Sequence, residues 1–302
     1  MSTGDSQLRH RHDVAANEVA AAKKVARREN PARVSDYREY LPPVALREHV
    51  LCFWTQSIQP SQAIYAHRVL PDACVDLVFF QGQPPAAIGP WTESFVAQLA
   101  PGTRITGVRF HPGRAASILR LPASELLNQQ AGIREIWREA ARSPFAGIGE
   151  LPTFRSSRIA LEAALLRHVG NVQPADATVA AAIQWIARRP NARVEELSEL
   201  AGISSRQMQR RFSAAVGYGP KMFQSVVRFQ RLLFLASRGF GRCGLADLAA
   251  RAGYADQSHM NREVRRFAAK SPGELLGSAG CTLKLEDFLA PSDSDEAVDF
   301  AA

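Results

Sequence analysis

The chain of 302 residues contains no run of about 18 uncharged apolar residues, so its sequence predicts no transmembrane helix. It has only four cysteines, at positions 52, 74, 243 and 281, and they form no C-x-x-C pair. Neither a disulfide framework nor a zinc site is expected, and the cysteines are predicted to be reduced, buried thiols. The protein is expected to be soluble and cytoplasmic, with no membrane partner.

Sequence patterns of catalysis are also scarce. No Ser/His/Asp, Cys/His or P-loop pattern stands out, so nucleophilic catalysis and nucleotide hydrolysis have no specific support. His67 and His111 lack the His-x-His…Glu spacing of a cupin-type metal site. The sequence therefore predicts no enzyme activity, no metal and no cofactor.

The charge of the chain is strongly basic and unevenly distributed. The formal net charge is +8 and the isoelectric point is about 9.7. Between positions 193 and 276, fourteen Lys and Arg residues oppose seven Asp and Glu residues, which gives this segment a net charge of +7. A polyanionic partner is expected to bind there.

The same segment contains a repeat. Residues 197–212 and 248–264 align with Gly202 on Gly253, an offset of 51, and beyond a one-residue insertion the matched positions are 52 apart. Each copy has an apolar-faced helix, a glycine turn and a second helix rich in Arg, Gln, Asn and Ser. This is the pattern of a helix-turn-helix, whose second helix enters the major groove of DNA.

The second helix of each copy separates apolar from polar positions. Met208 and Phe212 recur at i and i+4, as do Met260 and Val264, and these side chains are predicted to point inward. Taken singly, each outward residue could be an ordinary solvated side chain; taken together, they predict contacts with double-stranded DNA. The predicted contact residues are Ser205, Arg206, Gln207, Gln209 and Arg210, then Gln257, Ser258, His259, Asn261 and Arg262.

The front half has a different composition. Short β-branched or aromatic runs at 50–54, 64–70, 75–80 and 105–110 predict an antiparallel β domain, with barrel and sandwich both open. Helices are expected at 115–121, 123–130, 133–140 and 155–168. The predicted fold class is α+β, with an N-terminal antiparallel β domain with helices and a C-terminal all-α tandem helix-turn-helix domain.

The predicted boundaries divide the chain into four parts. They are a disordered arm (1–33), an N-terminal sensing or regulatory domain (34–172), a DNA-binding domain (176–277) and an acidic tail (278–302). A connecting helix from about Pro220 to Ser237 is expected to join the two copies.

The repeats resemble a known family. Residues 202–212 with Gly217-Tyr-Gly-Pro220 resemble the first motif of AraC/XylS-type transcription regulators, and residues 246–262 with Lys270-Ser-Pro272 resemble the second. The resemblance runs from about residue 178 to 276. It implies a seven-helix domain whose recognition helices enter successive major grooves about 34 Å apart.

Two adjacent positions depart from this family pattern. Glu263 and Val264 stand where the family usually has an apolar or small residue and a Phe. Glu263 is expected to lie near DNA and to weaken the second unit, which would leave more of the specificity to the first.

The front half is similar to an uncharacterised N-terminal domain of some AraC-like regulators, on residues 70–80 and 107–116. That similarity implies effector sensing. Polar residues embedded in the apolar runs either line a ligand pocket or form a structural ion-pair set, and the second is favoured because buried charges persist when paired. These residues are Arg68, Asp72, Asp76 and Arg109.

The predicted function is a sequence-specific regulator of the AraC type on the bacterial nucleoid. A small-molecule effector, RNA polymerase and a second copy of the chain are its further candidate partners. One rival is an enzyme whose β domain does chemistry while the C-terminal domain targets DNA; it would need a nucleophilic cysteine. The other is a small-molecule binding protein with a vestigial DNA-binding domain.

Overall fold

The computed structural model describes residues 35–60, 63–136, 145–239 and 244–277. The predicted arm and acidic tail lie outside the described residues, as do Cys243 and Cys281. A sheet-rich N-terminal half precedes a helical C-terminal half, which confirms the predicted α+β class. Within these ranges, none of the helices is long and apolar enough to cross a membrane.

Two antiparallel sheets form the N-terminal half. Six strands pair in the order β1-β2-β7-β4-β5-β8, and β3 pairs with β6. The strands are β1 (Ser35–Tyr40), β2 (Val50–Ile58), β3 (Tyr65–Val69), β4 (Val75–Phe80), β5 (Ala86–Ile88), β6 (Phe95–Leu99), β7 (Arg104–Phe110) and β8 (Gln130–Gly132). The sequence predicted β2, β3, β4 and β7, whose apolar runs stand out, and missed the other four.

The six-stranded sheet buries both of its faces. On one face, Phe53, Leu77 and Val108 contact the helices of this half in a common apolar cluster. On the other face, Trp54 and Ile105 pack with Leu99 of the small sheet. The N-terminal half is therefore a layer of helices, a large sheet and a small sheet, the last two packed face to face.

The helices of this half are α1 (Ala115–Leu119), α2 (Ile133–Ile136) and α3 (Phe154–Val169). The predicted helix at 123–130 is wrong. A 3-10 helix spans Ala123–Leu126, Asn128 then adopts a left-handed φ of +55°, and the chain continues into β8. Asn128 leaves the helix because its side-chain oxygen accepts a hydrogen bond from the Thr92 N–H at 2.7 Å.

Seven helices occupy the described part of the C-terminal half, as the resemblance implied. They are α4 (Ala177–Arg188), α5 (Glu196–Leu200), α6 (Ser205–Val216), α7 (Pro220–Ser237), α8 (Leu245–Ala252), α9 (Gln257–Ala268) and α10 (Pro272–Gly277). The connecting helix α7 has the predicted bounds, with Pro220 at its first turn, where a missing N–H costs nothing.

The connecting helix holds both repeats through aromatic contacts. The rings of Phe223 and Phe212 of α6 are 5.4 Å apart, and those of Phe229 and Phe267 of α9 are 5.1 Å apart. All four side chains are fully buried. One helix thus positions the second helix of each repeat, which is how the core sets the geometry of the site.

Candidate nucleic-acid interface

Two helices of equal length lie at matching places in the repeats. α6 and α9 each contain 12 residues, and each follows a shorter helix and a turn. The turns contain Gly202 at φ +63° and Gly253 at φ +91°, where any other side chain would be strained. α6 and α9 therefore have the local geometry of the recognition helices that the sequence predicted.

Side chains cap the start of both recognition helices. Ser204 Oγ accepts a hydrogen bond from the backbone N–H of Gln207 at 3.2 Å, and Gln207 Oε1 accepts one from the N–H of Ser204 at 3.0 Å. At α9, Asp256 Oδ1 accepts a hydrogen bond from the N–H of His259 at 2.6 Å. Caps of this kind stabilise a helix by about 1 kcal/mol, and the remaining first-turn N–H groups can bind a phosphate oxygen.

One face of each recognition helix is buried. Met208 and Phe212 of α6, and Met260 and Val264 of α9, are at most 2% exposed. The predicted inward positions are therefore confirmed, and Val264 fills the place where the family usually has Phe. Since a helix turns 100° per residue, the positions two before and two after each methionine face away from the core.

Three of the four outward positions are occupied by exposed arginines. Arg206 and Arg210 of α6 are exposed, as are Ser258 and Arg262 at the equivalent positions of α9. Within the described residues, no ion pair or hydrogen bond holds the guanidinium groups of Arg206, Arg210 or Arg262. These groups are available to a base edge or to a phosphate. Ser205 and Gln257, the first residues of the two helices, are exposed as well.

Two predicted base readers of α6 are engaged within the protein. The Gln207 side chain closes the cap at Ser204. The Gln209 amide lies against Gly219, where an added Cβ would come within 2.2 Å of it, and its Nε2 is 3.4 Å from Ser213 Oγ. The sequence contained the signal for the first arrangement, because Ser-x-x-Gln is a capping-box pattern. Base contacts by these glutamines stay predictions.

The corresponding residues of α9 also turn toward the protein. The His259 ring meets the Tyr254 ring edge-on, with centroids 5.3 Å apart, and its Nδ1 is 3.5 Å from the N–H of Ala255. Asn261 Oδ1 is buried and has no hydrogen-bond partner among the described residues. The side chains that point outward without an internal contact in the described part of the chain are therefore those of Arg206 and Arg210 in α6, and of Ser258 and Arg262 in α9.

The structure corrects the expectation for Glu263. Its side chain is 12% exposed and forms an ion pair with Arg228 of α7 at 3.2 Å, so the carboxylate is directed inward and not toward DNA. Arg228 also donates to the Pro190 carbonyl at 3.0 Å and to Ser225 Oγ at 2.9 Å. Glu263 thus ties α9 to the connecting helix.

The first unit has Arg211 at the position equivalent to Glu263, and Arg211 also forms an ion pair, with the charges reversed. Arg211 donates two hydrogen bonds of 2.7 Å to the carboxylate of Asp176, the residue that caps α4. Burial alone would raise the pKa of Asp176, but hydrogen bonds from Arg211 and the Val179 N–H outweigh it and lower the pKa. Sequence reasoning missed both ties because their partners lie about 35 residues away, with no local signal.

In the N-terminal half, three of the four candidate effector residues meet. Arg109 donates to both carboxylate oxygens of Asp76, at 3.0 and 2.9 Å, and its Nη1 lies 3.4 Å from Asp72 Oδ2. Burial opposes the charge of Arg109, but the carboxylates of Asp76 and Asp72 outweigh it and hold the pKa of the guanidinium above its usual value. The cluster has the geometry of a structural ion-pair set, in which one guanidinium faces two carboxylates.

Arg68 lies apart from this cluster. Its Nη1 donates to Ser94 Oγ at 3.1 Å and to the carbonyl oxygen of Ala268 at 3.2 Å, across the boundary between the two halves. A role for the four residues in effector binding stays a prediction, and the structure groups three of them without the fourth.

The described cysteines are free, buried thiols. Burial raises the pKa of Cys52 to about 12 and that of Cys74 well above its usual value. Since the thiolate is the nucleophile, neither residue is suited to attack a substrate at neutral pH. No group of three metal-binding side chains occurs in the parts of the chain that the structure describes.

These features define a class of protein, in which two helix-turn-helix units on one connecting helix bind DNA. Residues 197–278 match the family described as helix-turn-helix domain, and residues 38–132 match a domain of unknown function, DUF6597. The C-terminal region is an AraC-type helix-turn-helix domain that follows a DUF6597 domain. The resemblance to AraC-type transcription regulators is thereby confirmed.

Solved structures of another protein, ToxT, are also similar to the chain. The crystal structure of ToxT from Vibrio cholerae O395 is 10% identical over 83% of this chain and 100% of that chain, with a TM-score of 0.39. Unsaturated fatty acid bound wild-type ToxT from Vibrio cholerae strain SCE256 is 10% identical over 85% and 100%, with a TM-score of 0.38. At these TM-scores the similarity supports no conclusion about this chain. No curated protein matches it.

Proposed function

We propose that the protein is a sequence-specific transcription regulator that reads two adjacent major grooves with α6 and α9. The main observation that supports this proposal is that the two helices are equivalent. They have the same length, a capped start, a buried face held by one connecting helix, and on the opposite face exposed arginines that pair with no acid in the described part of the chain. Each arginine that pairs bidentately with a guanine would contribute about 1–3 kcal/mol of discrimination.

Phosphate contacts supply the rest of the affinity. Arg265 is exposed at the C-terminal end of α9, as is Arg266, and Lys270 follows them. Contacts of this kind position a protein on DNA and carry no sequence information. Affinity should therefore fall steeply with salt, by a slope of about 0.9 per phosphate neutralised.

The N-terminal domain senses a small-molecule effector or mediates dimerisation in this proposal. For sensing, the charged side chains that an effector would rearrange are those of the buried Arg109 cluster, which the protein pairs internally. For dimerisation, it is the outer face of α3, where Ile159 and Leu166 lie seven residues apart with 49% and 44% exposure. A second copy of the chain and RNA polymerase are the protein partners, and the protein acts in the cytoplasm on the nucleoid.

The proposed role requires no catalysis. Against the enzyme alternative stand the raised thiol pKa values of Cys52 and Cys74. Against a vestigial DNA-binding domain stands Glu263, whose inward ion pair removes the feature that suggested it.

A mobility-shift assay with genomic fragments tests the proposal. We expect retarded fragments at low salt and weaker binding as salt rises. Arg210→Ala should relax base preference, whereas Arg155→Ala, an exposed arginine on α3, serves as the matched control and should change nothing. The absence of any retarded fragment at low salt would refute DNA binding.

A further inference from the structure

A loop of the N-terminal domain is buried in the core of the DNA-binding domain. Ala73, between β3 and β4, is 3% exposed and belongs to the same apolar cluster as Phe212, Phe229 and Phe267. Leu70 packs against this cluster from the same side. The two domains therefore share a packed seam.

This loop and the end of β3 adjoin three parts of the DNA-binding domain and form hydrogen bonds with two of them. The Tyr218 hydroxyl, just beyond the first recognition helix, is buried; burial raises the pKa of Tyr218, and the negative charge of Asp72 adds to the rise. The Gln230 amide of the connecting helix donates to the Pro71 carbonyl. Arg68 donates to the carbonyl of Ala268, the last residue of the second recognition helix.

The attachments to the two units are unequal. The first unit packs tightly against the N-terminal domain at Gly217. An added Cβ there would lie 2.4 Å from Pro90 Cγ and 3.2 Å from the Ala123 carbonyl oxygen. For the second unit, Arg68 donates a hydrogen bond of 3.2 Å to the carbonyl oxygen of Ala268. Arg68 is exposed, so this bond can break at little cost.

Two features of the seam disfavour its packed arrangement. The Tyr218 hydroxyl and Gln230 Oε1 are buried without a hydrogen-bond partner among the described residues. Ala73 adopts a left-handed φ of +64°, which is unfavourable for a residue with a side chain. Unsatisfied groups and strain each oppose the closed seam.

Asp72 connects the loop to the interior of the β domain. One of its carboxylate oxygens accepts the Cys74 N–H at 3.0 Å and shapes the loop, and the other lies 3.4 Å from Arg109. A rearrangement of the Arg109 cluster would therefore move the residues that contact the DNA-binding domain.

We propose that residues 68–74 form a coupling clamp that adjusts the placement of the second recognition helix relative to the first, within the frame that the connecting helix α7 sets. Through this clamp the state of the N-terminal domain determines which operator spacing the protein accepts. The inference rests on the proposed function, since a spacing has meaning only if both helices read DNA. Arg68 is the contact by which the clamp holds the second unit.

The test compares Arg68→Ala with Arg38→Ala in the full chain. Arg38 is an exposed arginine on β1, with a side chain 67% exposed and paired with Asp36, so its loss should not reach the seam. Amide hydrogen exchange is measured without DNA. We expect Arg68→Ala to speed exchange at the end of α9 by about three- to tenfold, the factor that one hydrogen bond is worth, and to leave α6 unchanged.

The second readout uses an operator selected from a random DNA pool, with its spacer lengthened or shortened by one base pair. One base pair shifts a half-motif by about 3.4 Å, so a fixed pair of helices discriminates strongly against it. Arg68→Ala should lower this discrimination by about three- to tenfold.

The outcomes separate the clamp from the proposed function. Identical exchange and spacer preference in Arg68→Ala and Arg38→Ala would overturn the clamp. So would equally tighter binding of Arg68→Ala to every spacer, because that result would mean the loop holds the domain inactive. If neither the wild type nor any variant binds a specific site, the proposed function fails. Hydrogen exchange then still decides whether Arg68 holds α9.

Discussion

Replacing Glu263 distinguishes a carboxylate that faces the core from one that faces DNA. In the first case the substitution lowers the free energy of unfolding, and in the second it strengthens DNA binding. Glu263→Gln removes the charge that Arg228 meets at 3.2 Å, where the side chains are 12% and 10% exposed. Removing one partner of a buried pair costs about 3–5 kcal/mol. Since Arg228 keeps its bonds to Pro190 and Ser225, we expect a loss of about 2–3 kcal/mol in the free energy of unfolding.

Urea denaturation of the full chain measures this loss, and a mobility shift on a selected site measures affinity. DNA affinity of the folded Glu263→Gln protein should not rise. The matched variant is Arg211→Gln in the first unit, whose ion pair with Asp176 has side chains 36% and 27% exposed. That more solvated pair should cost about 1 kcal/mol. Unchanged stability with tighter DNA binding in Glu263→Gln would show that the carboxylate faces DNA and that the reasoning is wrong.

Three further predictions concern packing and burial. Gly217→Ala should lower the melting temperature, because its φ of +102° is left-handed and the new Cβ would lie 2.4 Å from Pro90 Cγ; unchanged melting would contradict the seam. Gly107→Ala should destabilise the β domain by about 2–4 kcal/mol and shift tryptophan fluorescence, because the Cβ would lie 2.2 Å from the Trp54 ring; a native spectrum and stability would argue against the packing. Cys52, whose pKa burial raises to about 12, should stay unlabelled by a thiol reagent in the native protein at neutral pH and should react once the chain is unfolded; rapid native labelling of Cys52 would instead favour a catalytic cysteine.

The sequence predicted what is local and periodic. Met208 and Phe212 at i and i+4 placed α6 correctly, and Pro220 marked the start of the connecting helix. The short strands β5 and β8 were missed because three residues carry no periodicity. The helix expected at 123–130 failed because a contact with Thr92, distant in sequence, holds Asn128 in a turn.

The candidate site divides in the same way. Arg206 and Arg210 face outward, as the helical pattern indicated. The position of Gln207 fits both a base contact and a capping box with Ser204. The structure has the capping hydrogen bond. The orientation of Glu263 depends on Arg228, 35 residues away, and such tertiary partners are not visible in one sequence.

Selection of bound sequences from a random DNA pool, repeated with Arg210→Ala and Arg262→Ala, tests the central claim most directly. The two residues occupy equivalent positions of the two recognition helices. We predict a wild-type site with two half-motifs about ten base pairs apart, of which Arg210→Ala relaxes one and Arg262→Ala the other. A single half-motif, or the same half-motif relaxed by both variants, would contradict the account.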